Sequence, residues 1–362
     1  MTSQKRLAHF LFVIYNVTRT MIFKKSTGKL VKKMGVTRED VGRRAGVSGT
    51  TVAHVLNGTK PVTPEVRQRV LAAAKELNYH PSLVARGLAT KETKQIAILV
   101  KSLQNPYYSA IHEGIQSVAT KEGYIVSVLS AHNSPTQNMN TMLARGMDGV
   151  IIASASSLRD FEDLLKPSSP MAFVRAEVAA HFYRKAVFDM VGAFCDLGHR
   201  RIAFLSGLSM KKASHYRYRD FMDALHTYGM EMEEALLVDG DGTTDEQSGY
   251  LAADALLKRG VPFTGVFATN DLMAIGAMKR FREAGLRIPE DISVCGCDDI
   301  IAASYTTPPL ATLQSHAVAL GEYLMYQLLE KLQPGRTSPL SEQQIHAEFV
   351  LRESMGRCRC DE

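Results

Sequence analysis

Hydrophobic and polar positions follow two different patterns along this chain. From Lys94 onward, short apolar runs alternate with amphipathic stretches, as in QIAILVKS followed by SAIHEGIQSVATKEG. The alternation returns in the second half, for example in RRIAFLSG and DLMAIGAMKRFREAG. Short strands between helices predict parallel doubly wound sheets, because parallel neighbours are joined through crossover helices. The pattern therefore predicts an α/β core of two lobes over residues 94–362.

Residues 36–57 carry a purely helical pattern instead. Thr37 is suited to cap a helix, and Asp40 stands at the third helical position, as in a capping box. Gly46 ends this helix, since glycine adopts positive φ easily, and Ser48 caps a second helix. Two short helices joined by a tight turn are typical of a helix-turn-helix, whose second helix lies in a DNA major groove. The apolar residues on the inner faces are Val41, Ala45, Val52 and Leu56.

A third helix is predicted directly after this pair. Thr63 is a suitable cap, Pro64 occupies the first helical position, and Glu65 supplies an early acid. Asn78 can end the helix. Its predicted inner residues are Val66, Val70, Leu71, Ala74 and Leu77.

The run AGVSGTTVAHVLNGTKPVTPEVRQRVLAAAKELNYHPSLVARGLAT resembles the DNA-binding head of the lac/gal repressor family. NPYYSAIHEGI, LGHRRIAFLSG and FATNDLMAIGAM resemble the family's effector-binding core, which is similar to periplasmic sugar-binding proteins. The resemblance implies four segments, a leader over 1–34, a helix-turn-helix DNA-binding domain over 35–80, a hinge over 81–93 and a two-lobed effector-binding and dimerisation core over 94–362.

By this resemblance, the second helix reads bases through the positions of Gly49, Thr50 and His54. Gly49 has no side chain, so direct readout falls to Thr50 and His54. In the hinge, Leu88 is expected to wedge between central base pairs in the minor groove, and the alternative is a plain interdomain linker. The expected phosphate ligands are Thr37, Ser48, Thr51 and Asn57.

Three features depart from the family pattern. Gly42 replaces a usual alanine and is expected to weaken the first helix by up to about 1 kcal/mol. Ala53-His54 stands where members often have Ser-Arg, which changes the expected base preference. The segment VFDMVGAFCDLGHRR is about two helical turns short of the family pattern, which predicts a remodelled or damaged first lobe.

The resemblance also implies an effector site at the carboxyl ends of the core strands, where ligands bind in doubly wound sheets. A charged donor, an amide, a carboxylate and aromatic surfaces suit a sugar or a purine. Alternatively, Asn270 and Asp298 cap the following helices, Arg217 lies on the surface, and the paired tyrosines belong to the core. The implied hydrogen-bonding residues are Arg217, Asn270 and Asp298, the implied walls are Tyr107 and Tyr108, and Arg175 lines the pocket.

Charge and cysteine content fit this organisation. The net charge is +6. Residues 1–93 contain 17 Lys+Arg and 5 Asp+Glu, whereas the remaining residues contain 26 Lys+Arg and 32 Asp+Glu. A basic head on an acidic body suits a polyanionic partner at one end only. Five cysteines, an odd number, indicate no disulfide framework and favour the cytoplasm. Their spacing does not match a zinc site, so we expect no metal and no cofactor.

The leader fits the remainder of the chain poorly. Residues 7–17, LAHFLFVIYNV, are apolar but too few to span a bilayer, so no membrane partner is expected. Met34 stands where family members usually begin. The hypothesis is that translation starts at Met34 and that the leader is either untranslated or disordered.

These observations predict a DNA-binding transcriptional regulator, not an enzyme. The first expectation is a repressor that binds a pseudo-palindromic operator in double-stranded DNA as a homodimer and responds to a small-molecule effector, a sugar first. One alternative is a regulator that needs a corepressor of purine or phosphoprotein type. A solute-binding protein would share the core but needs no DNA-binding head, and a sugar-processing enzyme would need a catalytic constellation that the sequence lacks.

Overall fold

Contacts between residues divide the chain into two compact units, with the boundary after Arg86. We call the first unit the head and the second the core. The expected leader and residues 81–91 of the expected hinge, including Leu88, lie outside the described residues. The computed structural model describes residues 36–80, 92–130, 135–153, 171–175, 182–207, 216–240, 242–341 and 345–359, without the side chains of 135–139.

The described part of the head, residues 36–80, forms three helices, as the sequence predicts. They are α1 (Arg38–Ala45), α2 (Gly49–Asn57) and α3 (Pro64–Glu76). The hydroxyls of Thr37, Ser48 and Thr63 each accept a hydrogen bond from a backbone N–H in the first turn, which confirms all three N-caps. Gly46 has φ 68° and Asn78 has φ 48°, so both chain reversals use left-handed backbone.

The head's small core consists mainly of valine and alanine. Leu56 and Leu77 are only partly buried against it. Leu71, predicted to face inward, is 47 % exposed and that prediction is wrong. The buried residues of α3 are Val70, Ala73 and Ala74, because these residues face α1 and α2. The buried residues are Val41, Ala45, Val52, Val55, Val70, Ala73 and Ala74.

The first lobe of the core is built on a parallel four-stranded sheet in the order β2-β1-β3-β4. Strand β1 is buried at all but its first residue, which is expected for a strand covered on both faces. The elements are β1 (Gln95–Val100), α4 (Pro106–Lys121), β2 (Ile125–Ser130), α5 (Pro135–Ala144), β3 (Gly149–Ile152) and β4 (Ala172–Arg175).

The second lobe repeats this plan with a parallel sheet in the order β6-β5-β7-β8. The fold class predicted from the sequence is thereby confirmed. The elements are α6 (Arg184–Asp196), β5 (Ile202–Leu205), α7 (Tyr216–Thr227), a 3₁₀ turn (Glu234–Leu236), β6 (Leu237–Val238), α8 (Glu246–Lys258), β7 (Gly265–Ala268), α9 (Asp271–Glu283), β8 (Ser293–Cys295) and α10 (Ile301–Tyr305).

Helix α6 covers the segment that departs from the family pattern. It runs over 13 residues and ends normally, with Gly198 at φ 91° after its last turn. Its inner face buries Val187, Met190, Val191 and Phe194 completely. The departure from the family pattern in this region therefore leaves a full helix.

The chain returns to the first lobe after completing the second. Strand β9 (Thr312–Gln314) pairs antiparallel with β10 (Glu348–Val350), and α11 (Ala317–Leu332) lies between them in sequence. Helix α11 packs on α4 at backbone contact, since a Cβ on Gly114 would lie 1.9 Å from the carbonyl oxygen of Val318. Among the described helices, none combines the length and apolar character needed to cross a membrane.

Candidate functional site

The N-terminal end of α2 and its exposed face form the candidate DNA-reading surface. Thr50 and Asn57 are exposed, and Gly49 and His54 are half-exposed. The surface surrounding α1 is basic, with Arg43 and Arg44 both more than half exposed. Arg44 also pairs with Glu76 at 2.8 Å and so joins α1 to α3.

The hydroxyl of Thr37 is occupied by the capping box. It donates to Asp40 Oδ2 at 2.7 Å and accepts from the Asp40 backbone N–H at 3.2 Å. The bonds that the Thr37 hydroxyl and the Thr37 backbone N–H donate to the Asp40 carboxylate lower the pKa of Asp40, because they favour its charged form. A phosphate needs a donor, so Thr37 can offer its hydroxyl hydrogen only by giving up Asp40.

Ser48 and Thr51 form a hydroxyl pair at the start of α2. Their oxygens are 2.9 Å apart, and Ser48 Oγ also accepts from the Thr51 backbone N–H at 3.1 Å. One hydroxyl of the pair donates to the other, which leaves one hydroxyl hydrogen for a phosphate oxygen. The N-terminal end of a helix favours negative charge, so this pair is well placed for a phosphate.

Gly42 allows the turn between α1 and α2 to approach closely. A Cβ at this position would lie 2.7 Å from the carbonyl oxygen of Val47 and 3.1 Å from the backbone nitrogen of Gly49. Val47 in turn donates its N–H to the Gly42 carbonyl at 2.9 Å. The expected weakening of α1 is thus offset by tight packing of the turn.

The core brings three predicted effector residues together from distant parts of the sequence. Tyr107 starts α4 in the first lobe, Arg217 lies in the first turn of α7, and Asp298 follows β8. The Tyr107 hydroxyl is buried, and burial together with the charge of Asp298 raises its pKa well above the ordinary value. Arg217 interacts electrostatically with both Tyr107 and Asp298.

Asp298 is the most unusual residue of this cluster. It is 7 % exposed and has φ 118°, and its Oδ1 has no hydrogen-bond partner in the protein. Burial raises the pKa of its carboxyl to about 8, although Arg217 favours the charged form. The residue before α10 is Ile300, with no side-chain cap, so the interpretation of Asp298 as a helix cap is wrong.

Arg217 is half-buried, whereas Arg219, two positions later, is exposed. Its guanidinium stacks 4.8 Å from the ring centroid of Tyr183 and 5.5 Å from that of Tyr216. It donates to the carbonyl of Thr269, while its buried Nε has no partner. This arrangement fits a ligand-facing guanidinium and contradicts the surface interpretation.

Tyr183 and Tyr216 are site residues that the sequence reasoning missed. Their rings stack at 5.8 Å with 16° between planes, and the buried Tyr183 hydroxyl has no hydrogen-bond partner. Both stand at the start of a helix, beside buried residues on the same helix face. No local pattern distinguishes them from core, and only the meeting of α6 with α7 places them beside Arg217.

The other expected effector residues differ in their hydrogen bonds and packing. Asn270 caps α9 by accepting from Met273 N–H at 2.9 Å, and its amide donates to the Thr244 carbonyl at 2.8 Å. It therefore serves as a cap, with one amide hydrogen left for a ligand. Tyr108 packs edge-on against Tyr107 at 5.3 Å. Arg175 ends β4, and its buried Nε has no partner.

A network of buried polar groups fixes the segment that carries Asp298. Asp271, completely buried, accepts from Thr312 Oγ1 at 2.6 Å and from Ile300 N–H at 2.9 Å. Burial raises the pKa of Asp271 to about 6. Asp299 accepts from Gln314 at 2.8 Å and from Arg352 at 2.7 Å, which ties it to both β9 and the chain after β10.

A cavity of about 660 Å³ opens beside Tyr107 and Asp298. It lies between α4, the segment 298–301 and α11, and its lining includes none of Arg175, Arg217 and Asn270. Its polar lining residues are Tyr107, Ser109, Glu113, Asp298, Asp299, Gln314, His316 and Glu322.

Comparison with known families supports both units. Residues 37–82 match the family described as "Bacterial regulatory proteins, lacI family". Residues 191–355 match the family described as "Periplasmic binding protein-like domain".

Relatives align over almost their whole length. The HTH-type transcriptional repressor PurR of Mannheimia succiniciproducens is 33 % identical over 333 residues, which cover 89 % of this chain and 99 % of that protein. PurR of Erwinia tasmaniensis is 34 % identical over 341 residues, covering 88 % and 97 %.

Solved structures agree with these relatives. The lac repressor dimer bound to operator and the anti-inducer ONPF has a TM-score of 0.73 at 27 % identity, covering 89 % of this chain and 99 % of that one. The complex of the transcriptional regulator CelR with cellobiose has a TM-score of 0.60 at 26 % identity, covering 88 % and 99 %. The family consists of transcriptional regulators, not enzymes, which confirms the expectation from the sequence. This chain belongs to the lac/gal repressor family of DNA-binding transcriptional regulators.

Proposed function

We propose that this protein is a repressor that binds its operator as a homodimer and responds to a polar small molecule in the core cleft. One observation carries the effector part of the proposal. Tyr107, Arg217 and Asp298 converge from three elements, and buried Arg217 Nε and Asp298 Oδ1 have no partner in the protein. Buried polar groups are normally hydrogen-bonded, so a polar ligand is the partner we propose for both.

The proposed operator contacts follow from the head. Thr50 and His54 read bases, while Ser48, Thr51 and Asn57 contact phosphates, as does Thr37 when it releases Asp40. The segment 81–93 serves as a hinge with Leu88 as its minor-groove wedge. This function places the protein in the cytoplasm, with the DNA. Its relatives' names and the operator-bound structure of the lac repressor support the assignment.

The homodimer proposal is supported by exposed apolar side chains on the second lobe. Ile301 is 73 % exposed and Tyr305 is 81 % exposed, both on α10, and Leu251 on α8 is 56 % exposed. Ile301 and Tyr305 are four positions apart and share one face of α10, and exposed apolar side chains that lie together are typical of an interface. Light scattering at micromolar concentration should give a dimer, and a tetramer or monomer would contradict this part of the proposal.

A sugar is the first effector candidate, and the neighbour bound to cellobiose supports it. A purine is the second candidate, which the stacked rings of Tyr183 and Tyr216 favour, because flat aromatic faces suit a planar base. The PurR relatives agree with the second candidate. Arg175 and Asn270 complete the proposed lining in either case.

The test is DNA binding by the full chain. The probe is the promoter region beside its own gene, titrated against scrambled competitor at fixed physiological salt. Tight, competitor-resistant binding is expected, and binding that competitor or salt removes both without and with the panels of sugars and purines would contradict operator recognition. The same assay with panels of sugars and purines then identifies the effector, and the sign of the affinity change separates inducer from corepressor.

Substitutions test whether the response of DNA binding to the ligand depends on the cleft. Asp298→Ala should abolish the ligand response and leave DNA binding intact, whereas Asp196→Ala, at an exposed position on α6, should change neither. A normal response from Asp298→Ala would place the effector elsewhere. Leu88→Ala should weaken operator binding while sparing non-specific binding.

A further inference from the structure

The end of α2 contains a side-chain contact with a consequence for base recognition. His54 Nδ1 lies 2.9 Å from Thr59 Oγ1. We propose that Thr59 is a positioning residue, which fixes the imidazole of His54 and thereby sets the base preference of α2. This inference rests on the proposed function, since it assumes that α2 enters a major groove.

The backbone explains how Thr59 reaches His54. The helix ends at Asn57, and Gly58 takes φ 66°, which reverses the chain. The Gly58 and Thr59 N–H groups both donate to the His54 carbonyl, the latter at 3.3 Å. Residues five apart do not face each other on a continuing helix, so the contact depends on this reversal.

The contact decides which ring nitrogen remains for DNA. A neutral imidazole has one donor and one acceptor nitrogen, and the Thr59 hydroxyl can pair with Nδ1 in either role. In both tautomers Nε2 is the atom left to face a base edge. With the threonine hydroxyl as donor, Nε2 carries the proton and matches the acceptors of guanine, N7 and O6.

Restricting the ring also sharpens discrimination. An imidazole without this anchor can turn about its terminal bond and present either nitrogen, and such a ring accepts several bases. The anchored ring presents one nitrogen in one direction. Thr59 therefore acts on DNA specificity through His54 and needs no contact with DNA of its own.

The test uses the full chain and a randomised double-stranded DNA library, so no operator needs to be known. Selection is carried out with the native protein and with His54→Ala, Thr59→Val, Thr59→Ser and the double variant His54→Ala/Thr59→Val. His54→Ala identifies the base pair that His54 reads, as the position whose preference disappears. Competition between matched and mismatched probes then gives the discrimination at every position.

We expect Thr59→Val to reduce discrimination at the His54 base pair by about fivefold, the effect of one hydrogen bond, and to leave other positions unchanged. Thr59→Ser keeps the hydroxyl and should retain the native preference. The double variant should match His54→Ala. A thermal melt of each variant checks that the fold is retained.

Three results would overturn the proposal. An equal loss of affinity on all probes after Thr59→Val would indicate a phosphate contact instead. An unchanged preference would show that the ring needs no anchor, and a further loss in the His54→Ala background would show that Thr59 acts independently. If the native protein selects no site at all, the proposed function itself fails and this inference with it.

Discussion

The head and the effector cleft differ in how far apart along the chain their hydrogen-bonded residues lie. In the head, the polar contacts of Thr37 with Asp40 and of Ser48 with Thr51 join residues three positions apart. In the core, Arg217 bonds the Thr269 carbonyl 52 positions away, and Ser117 bonds Glu322 205 positions away. The difference teaches that recognition of DNA rests on a local motif, whereas recognition of an effector rests on the assembled fold.

The two regions differ equally in their exposure to water. Hydroxyls of the head are mostly solvent-exposed, so their hydrogen bonds contribute modestly and can be exchanged for phosphate contacts. Polar groups of the cleft are buried, which raises the pKa of Asp298 to about 8 and of Asp271 to about 6. Substitutions in the core should therefore have larger effects on stability than matched substitutions in the head.

The largest effect is expected from Gly114→Ala on α4. Alanine normally favours a helix, but here its Cβ would lie 1.9 Å from the Val318 carbonyl oxygen and would force α4 and α11 apart. The free energy of unfolding should fall by about 3 kcal/mol or more. Urea unfolding of the full chain measures this, and an unchanged midpoint would refute backbone contact between these helices.

Asp298→Asn should stabilise the protein at alkaline pH. Because the folded pKa is about 8 and the unfolded one is near 3.8, the folded state holds a proton that the unfolded state has lost. The native residue therefore makes the fold less stable as pH rises from about 4 to about 8. Asparagine removes this dependence, so the gain at pH 8 should reach the order of a few kcal/mol.

Thermal melts of both proteins across this pH range check the Asp298 prediction. The gain should shrink steadily toward pH 4 and vanish only well below it, where the native carboxyl is protonated in both states. A gain of the same size at both ends would show that packing, and not ionisation, is responsible.

His199→Ala tests the buried polar contacts of the second lobe. The contribution of His199 to stability should change with pH in the opposite direction to that of Asp298. The His199 ring bonds Thr264 Oγ1 and the Gly356 carbonyl, each at 2.9 Å, and burial lowers its pKa. The stability it provides is present above its unfolded pKa of about 6.5 and is lost as pH falls below that value. Alanine should cost about 1–3 kcal/mol at pH 7.5.

The same substitution should flatten the pH profile. Native protein should lose stability between pH 6.5 and pH 5 more steeply than the alanine variant, as followed by denaturant midpoints. Parallel profiles would mean that His199 titrates alike in both states.

The smallest effect is expected from Gly42→Ala, the counterpart of Gly114→Ala in the head. Alanine gains up to about 1 kcal/mol of helix propensity, but its Cβ would meet the Val47 carbonyl oxygen at 2.7 Å. The turn can shift more easily than two packed helices, so a net loss of about 1 kcal/mol or less should result. Amide exchange of Val41 and Val52 in the full chain would become faster, and slower exchange would contradict the packing argument.

The difference between local contacts in the head and long-range contacts in the core also explains which features could be predicted from the sequence. Caps at Thr37, Ser48 and Thr63 were predictable, because each depends on a few neighbouring residues. Leu71 was misplaced, since an apolar residue at helical spacing fits either of two adjacent stripes, and the positions of α1 and α2 decide between them.

In the core, the strands were predictable from their apolar runs, but the cleft was only partly so. Arg217 and Asp298 were found through the family resemblance, whereas Tyr183 was not, because its role depends on where α6 meets α7. Stacking across two helices leaves no periodic signal in either of them.

The return of α11 to the first lobe has a consequence for the order of events during synthesis. The first lobe lacks the partner of Gly114 until residues 317–332 have left the ribosome. The second lobe waits even longer, because Ser354 bonds Val294 and Ala311, and Gly356 bonds Ser293 and His199. Nascent chains therefore carry two incomplete lobes until residues 354–356 have been added, while the head, which is closed by its own local contacts, is already in place.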